Sequence, residues 1–229
     1  MGEPPLPNEH SLQVFVLPVT PFAQNCSLIR DPATGAGAVV DPGGDIAQIL
    51  EAIAAKGIAV EKVLVTHGHI DHAGAAAELA EKLGVPIEGP ARGDDFWIQG
   101  LPEQGRHYGF PPCRAFTPDR WLEDGGTVTV GQAILEVRHC PGHTPGHVVF
   151  FHRPSMLAFV GDVLFAGSIG RTDFPKGDYQ TLIGSITDRL WPLGDDVTFI
   201  PGHGPASTFK DERHSNPFVA DKVLAGEAS

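Results

Sequence analysis

Thr66-His67-Gly68-His69-Ile70-Asp71-His72 places three imidazoles and one carboxylate within seven residues, directly after the apolar run Val63-Leu64-Val65. A polar loop with satisfied histidines explains any one of these residues by itself, but four at this spacing match what a metal ion requires. Imidazole nitrogen and carboxylate oxygen suit a borderline divalent ion such as Zn²⁺, Fe²⁺ or Mn²⁺. A loop leaving a strand end can aim His67 and His69 at one point. Beyond them the apolar spacing turns helical, with Ala73, Ala76, Ala77, Ala80 and Leu83 on one face and Gly84 as a stop. Asp71 therefore falls near the helix N-cap and His72 in the first turn. The positive end of that helix favours carboxylate and neutral imidazole, the forms that bind metal.

Upstream, Leu12–Leu17 and Cys26–Ile29 read as strands, with Pro18–Gln24 as a turn between them. Ala38-Val39-Val40 then runs into the turn Asp41-Pro42-Gly43-Gly44. Asp41 is either a plain turn former or a carboxylate that braces a nearby ligand from behind. Asp45 is placed to cap a helix carrying Ile46, Ile49, Leu50 and Ile53 and ended by Gly57. Val63–Val65 has the unbroken apolar character of a strand covered on both faces. Downstream, periodicity is lost from Gly89 to Gly126, which reads as an irregular surface cover. Strands return at Thr127–Val130, Ile134–Val137, His147–Phe151, Met156–Val160 and Val197–Ile200, and Asp178 is placed to cap a helix with Leu182, Ile183, Ile186 and Leu190. Two strand-rich halves, each with helices, predict an α/β fold of two sheets packed face to face with helices outside.

The 229 residues suffice for a sizeable core and show no linker-like break, so one domain spanning 1–229 is expected, with residues 1–11 as a loose tail. A formal charge of −12 without a basic cluster argues against nucleic acid as a partner. Cys26, Cys113 and Cys140 lack disulfide or zinc-knuckle spacing and read as small apolar residues in a reducing compartment. Neither a signal-like leader nor a membrane-length apolar run is legible, so a cytoplasmic protein without a membrane partner is expected.

Three later sites repeat the opening theme: Cys140-Pro141-Gly142-His143-Thr144-Pro145-Gly146-His147, then Val160-Gly161-Asp162, then Pro201-Gly202-His203-Gly204. Each puts a His or Asp at or beyond a strand end beside glycine, which lets backbone come close. Together with the first motif they give His67, His69 and His143, then Asp71, His72 and His203, with Asp162 able to bridge the two sets.

In this order of ligands the sequence resembles the metallo-β-lactamase fold superfamily. From about Val14 to Phe218 it is similar to the hydroxyacylglutathione hydrolases (glyoxalase II) of the short bacterial type. The likeness rests on Gln24-Asn25-Cys26-Ser27-Leu28, Val40-Asp41-Pro42-Gly43-Gly44, the His139–His147 stretch, Gly170-Arg171-Thr172-Asp173-Phe174-Pro175 and Asn216-Pro217-Phe218. It extends through Asp94-Asp95-Phe96-Trp97, Pro118–Leu122 and Gly194–Gly204. The resemblance implies an αββα sandwich and two divalent ions, Zn²⁺ before Fe²⁺ or Mn²⁺. His67, His69 and His143 would hold one ion, Asp71, His72 and His203 the other, and Asp162 would bridge.

The implied reaction is hydrolysis of the thioester of S-D-lactoylglutathione, or another S-(2-hydroxyacyl)glutathione, by a metal-bridging hydroxide, as in methylglyoxal detoxification. Asp71 is the candidate catalytic acceptor of the proton of the incoming water. His139, His147 and His152 are expected to be structural or to support the ligands from behind, because the superfamily takes only the first histidine of His143-Thr144-Pro145-Gly146-His147 as a ligand. The longer relatives hold the glycine carboxylate of glutathione with basic residues of a C-terminal helical region, whereas this chain ends soon after Phe218. Arg171, and more weakly Lys176, are candidates for that contact, and for Arg171 a salt bridge to Asp173 or Asp178 is an equal alternative. A small-molecule substrate and a monomer complete the expectation. The rival reading is a persulfide dioxygenase, which shares the fold, the ligand order and the Gly-Arg-Thr-Asp-Phe element, but uses a single iron and consumes oxygen with glutathione persulfide.

Overall fold

A computed structural model describes residues 11–226. Met1–His10 lie outside them, and with them nearly all of the tail expected at residues 1–11. The first half builds a five-stranded sheet in the order β1-β2-β3-β4-β5. Its strands are β1 (Gln13–Val19), β2 (Gln24–Arg30), β3 (Ala36–Val40), β4 (Ala59–Leu64) and β5 (Ile87–Glu88). The helices α1 (Ile46–Lys56), α2 (Ile70–Ala73) and α3 (Ala76–Leu83) make the crossovers that leave β3, β4 and β5 parallel. Helices α4 (Asp95–Gln99) and α5 (Leu101–Tyr108) follow.

The second half supplies β6 (Thr127–Val130), β7 (Ala133–His139), β8 (Val148–His152) and β9 (Leu157–Gly161), then a small hairpin of β10 (Leu164–Phe165) and β11 (Ser168–Ile169). Helix α6 (Tyr179–Ser185) continues through a π-helical turn at Ile186–Leu190. Then come β12 (Thr198–Pro201), β13 (Ser207–Thr208), α7 (Phe209–Ser215) and α8 (Asp221–Leu224). The second sheet runs β13-β12-β9-β8-β7-β6.

Alternation along the strands explains the layers. In β8, Val148 and Phe150 join the core between the sheets, while Val149 and Phe151 join the core on the far side, beneath Leu182, Ile186, Leu190 and Phe209. In the first sheet, Ile29, Ala38, Val40 and Leu64 face inward, and Leu28, Val39 and Val63 face Ile49, Leu79, Ile98 and Leu101 of the helices. The central strands β3, β8 and β9 are thus buried on both faces, which is why they read as unbroken apolar runs, whereas the outer β1 and β6 alternate. The result is the expected αββα sandwich. Among the described residues, no helix is long and apolar enough to cross a membrane.

Three local readings are corrected. The stretch Gly89–Gly126 is not uniformly irregular: it holds α4 and α5, five and eight residues long and separated by Gly100, each too short to establish a helical period. Asp45 does not cap α1 with its side chain; it adopts φ 51°, and its carboxylate accepts the Thr20 N–H at 2.7 Å. The helix expected to begin near Asp71, with His72 in its first turn, is broken into α2 and α3, and His69 rather than Asp71 takes the N-cap of the first.

Candidate metal centre

Each ligand candidate leaves the end of a buried strand. His67 to His72 follow β4, His143 lies in the β7–β8 loop, Asp162 directly follows β9 and His203 follows β12. The two sheets are tied together at this end of the sandwich. Asn25 N–H donates to Gly202 O at 2.7 Å, and the Asn25 amide donates to Pro201 O and Gly204 O at 3.0 and 2.8 Å. Close approach requires glycine here, since a Cβ on Gly202 would lie 2.0 Å from Asp162 Oδ1.

Hydrogen bonds behind the rings decide which nitrogen faces inward. Thr66 Oγ1 donates to Asp41 Oδ2 at 2.6 Å, so it accepts from His67 Nδ1 at 3.1 Å and leaves Nε2 as a lone pair. His143 Nδ1 donates to Arg171 O at 2.7 Å, His72 Nδ1 to Asp41 Oδ2 at 2.9 Å and His203 Nδ1 to Phe22 O at 3.2 Å. Every one of these rings turns Nε2 toward the other donors, the usual arrangement behind metal-binding imidazoles.

Inside, His67 Nε2 and His143 Nε2 lie 3.1 and 3.0 Å from His69 Nδ1. That nitrogen carries at most one proton, so acceptor lone pairs are left facing one another unless a cation sits among them. In the second set, His203 Nε2 and His72 Nε2 lie 3.1 and 3.7 Å from Asp71 Oδ2. Asp162 stands between the sets: Oδ1 is 3.3 Å from His72 Nε2, and Oδ2 is 3.6 and 3.8 Å from His143 Nε2 and His203 Nε2. His72 Nε2 and Asp162 Oδ1 are buried without a hydrogen-bond partner. Buried atoms of this kind are costly unless something binds them, and both are metal donors. The donor set therefore fits divalent cations. A third grouping, Asp41 with His67 and His72, also falls within 4.8 Å. Its carboxylate is already engaged by Thr66 N–H, Thr66 Oγ1 and His72 Nδ1, so Asp41 braces the ligands, which decides between its two readings.

Electrostatics agree with this division. Burial, then the neighbouring imidazoles, hold His67 and His69 well below the ordinary histidine pKa, in the neutral form that binds metal. Burial alone would lower His72 and raise Asp162. The paired charges prevail: Asp162 and Asp71 raise His72, and His72, His143 and His203 hold Asp162 well below the carboxylate range. This second set attracts positive charge.

Asp94 received no role from the sequence beyond its place in a family-like stretch, yet it joins the two principal loops. It accepts Gly68 N–H and Thr144 Oγ1–H on Oδ2, both at 2.8 Å, and Gly146 N–H on Oδ1 at 2.6 Å. Burial raises its pKa to about 6 against those three donors. Nothing at Asp94 itself marks it, because its partners are mostly backbone. His147 touches two of the candidate ligands from behind, the second of its two expected roles: its Nε2 accepts the Asp162 N–H at 3.0 Å, and its ring stacks on His67 at 4.6 Å. His139 Nε2 meets Pro145 O at 2.9 Å, and His152 Nδ1 meets Ser155 Oγ at 2.8 Å.

The donors open into a cavity of about 590 Å³. Its wall is aromatic, with Phe22, Trp97, Tyr108, Phe165 and Phe174 lining it. Trp97 and Phe174 lie 4.5 and 4.7 Å from the His69 ring. Single aromatics in irregular stretches gave no pattern by which sequence could gather them. Arg171 lines the cavity, whereas Lys176 is off its lining and holds its ammonium 4.0 Å over the Phe96 ring. The Asp173 alternative for Arg171 is also present, as a two-bond pair at 2.7 Å each. Cys26 and Cys140 are buried and Cys113 partly so, and all three are free.

The model of the Metallo-beta-lactamase superfamily matches residues 19–203. A Haemophilus influenzae protein named hydroxyacylglutathione hydrolase GloC is 46% identical over 212 residues, 92% of this chain and 100% of that protein. Among solved structures, TTHA1623 in a di-iron-bound form is 34% identical with a TM-score of 0.82, covering 90% of this chain and 100% of its own. The BLEG-1 B3 metallo-beta-lactamase is 30% identical with a TM-score of 0.83, over 90% of this chain and 99% of its own.

Proposed function

This chain belongs to the metallo-beta-lactamase superfamily, and from that premise we propose that it hydrolyses the thioester of S-(2-hydroxyacyl)glutathione, S-D-lactoylglutathione foremost, to a 2-hydroxy acid and glutathione. The observation that carries the proposal is the pair of donor sets flanking Asp162 at the floor of an aromatic cleft. The relative named hydroxyacylglutathione hydrolase, alike over its whole length, supports the thioester class.

His67, His69 and His143 would hold one divalent ion and Asp71, His72 and His203 a second, with Asp162 shared. Zn²⁺ is favoured, and a mixed N/O set without thiolate also accepts Fe²⁺ or Mn²⁺. A pair of such ions supplies a nucleophilic water near neutral pH and polarises the thioester carbonyl. The chain's own residues do the rest. Asp41, Arg171 O and Phe22 O fix the ligand rings, and Trp97 and Phe174 keep bulk water from the reacting end. Asp71, at the cleft floor, takes the proton of the attacking water. The leaving thiolate, with a conjugate-acid pKa of about 8.5, needs no dedicated general acid. Arg171 is the side chain for the distal carboxylate of glutathione.

We place the enzyme in the cytoplasm as a single-domain monomer acting in methylglyoxal detoxification, with a small-molecule substrate and no nucleic-acid or membrane partner. Three free thiols suit a reducing compartment. The test is metal analysis of the purified protein with an S-D-lactoylglutathione assay, oxygen uptake being followed in parallel with glutathione persulfide. Thioester turnover with about two metal equivalents is expected. Oxygen consumption at one equivalent of iron, without thioester turnover, would establish the dioxygenase instead.

A further inference from the structure

Arg171 is, among the described residues, the one Lys or Arg lining the cleft that also exposes His69, His143, Asp71 and Asp162. An anionic thioester entering this cleft has that guanidinium as its local cation. The group is already occupied. Its Nε donates to Asp173 Oδ1 and its Nη2 to Asp173 Oδ2, both at 2.7 Å, in the forked geometry that a substrate carboxylate would otherwise adopt. Both side chains are open to solvent, at 63% and 67% exposure, so the pair can exchange without unpacking anything.

The rest of the residue is fixed. Arg171 O accepts His143 Nδ1–H at 2.7 Å, and the guanidinium lies 4.3 Å over Phe174, whose ring is 4.7 Å from His69. The side chain therefore hangs at the cleft wall from a backbone hydrogen-bonded to His143, and its carboxylate partner is the exposed, exchangeable element.

We propose that Asp173 is a specificity determinant of this cleft: its carboxylate competes with the substrate's distal carboxylate for the Arg171 guanidinium. The inference rests on the reading of the cleft as a glutathione-thioester site. Asp173 lies two residues from Arg171, so it is always at hand, yet an exposed pair is weak and a ligand anchored by its thioester end can displace it. Neutral or cationic ligands do not need the guanidinium, so the competition weakens anionic ligands alone and sets how strongly the cleft prefers them.

The test is steady-state kinetics of the full metal-loaded enzyme carrying Asp173→Asn, with metal content measured on each preparation. An exposed ion pair of ordinary strength corresponds to a KM for S-D-lactoylglutathione about two- to fivefold lower, with kcat unchanged within about twofold. Two further arms isolate the cause. In an Arg171→Ala background, Asp173→Asn should no longer lower KM, and with a substrate whose glycine carboxylate is replaced by an amide the ratio of the two KM values should return to one. A KM that rises or stays constant on Asp173→Asn overturns the competition and makes Asp173 a positioner of Arg171. A fall that persists without Arg171 reduces it to general charge repulsion and also overturns it. Absence of thioester turnover by the unsubstituted enzyme overturns the parent reading, a result distinct from either.

Discussion

Asp162 is the residue on which both donor sets converge, one carboxylate oxygen toward His72 and the other toward His143 and His203. Asp162→Ala should therefore lower metal at both positions and reduce thioester turnover by orders of magnitude, checked by elemental analysis alongside the assay. Loss of a single equivalent with near-normal activity would place the shared ligand elsewhere. Asp41 acts one step behind. It takes His72 Nδ1–H while also holding Thr66 by its N–H and hydroxyl. Asp41→Asn replaces one acceptor oxygen with an amide donor in a network built from donors, so metal affinity should fall about 10- to 100-fold, as for other supports behind a ligating histidine. A competition titration with a chromogenic chelator reads this directly. Of these supports the sequence showed only Asp41, as one of two readings. Asp94 stayed hidden because hydrogen bonds to backbone N–H groups need no particular partner residue types.

At the level of elements, the site depends on how closely the β12 end loop approaches β9 and α2. With Gly202 N–H on Gly161 O at 2.7 Å and Asn25 holding the loop from the other sheet, little room remains for adjustment. A methyl group at Gly202 would meet Asp162 Oδ1 at 2.0 Å and His72 Cε1 at 2.5 Å. Gly202→Ala should keep the far-UV circular dichroism of the parent but lose at least one metal equivalent, since the strain falls on two ligands and not on a core. Full metal content would show that the loop yields. The same closeness explains why Pro201-Gly202-His203-Gly204 looks weak by itself in the sequence: its meaning comes from what lies across from it.

At the level of the whole molecule, the candidate ligands are drawn from loops of both sheets, so metal bound among them would cross-link the two halves of the sandwich. Ligands that bind only the folded chain stabilise it in proportion to the logarithm of their excess over Kd. Removing metal with EDTA should lower Tm, and restoring Zn²⁺ should recover it; a shift of several degrees corresponds to about 1–3 kcal/mol in a domain of this size. Differential scanning fluorimetry at graded free Zn²⁺ measures it, and a concentration-independent Tm would mean that the sheets hold without the ions.

The sequence by itself determined the main strands of the two halves, their αββα layering and seven candidate donor residues. Each is written in local pattern: apolar runs mark strands buried on both faces, and several imidazoles in a short loop have few other uses. Tertiary structure alone decided what pattern cannot carry. It turned the His72, His143 and His203 rings by acceptors from distant segments, made Asp94 the link between two loops, and gathered scattered aromatics into one wall. These are through-space relations between residues far apart in the chain or ordinary in type. Their energies arise only when the two sheets bring the loops to one end, so no local stretch of the sequence contains them.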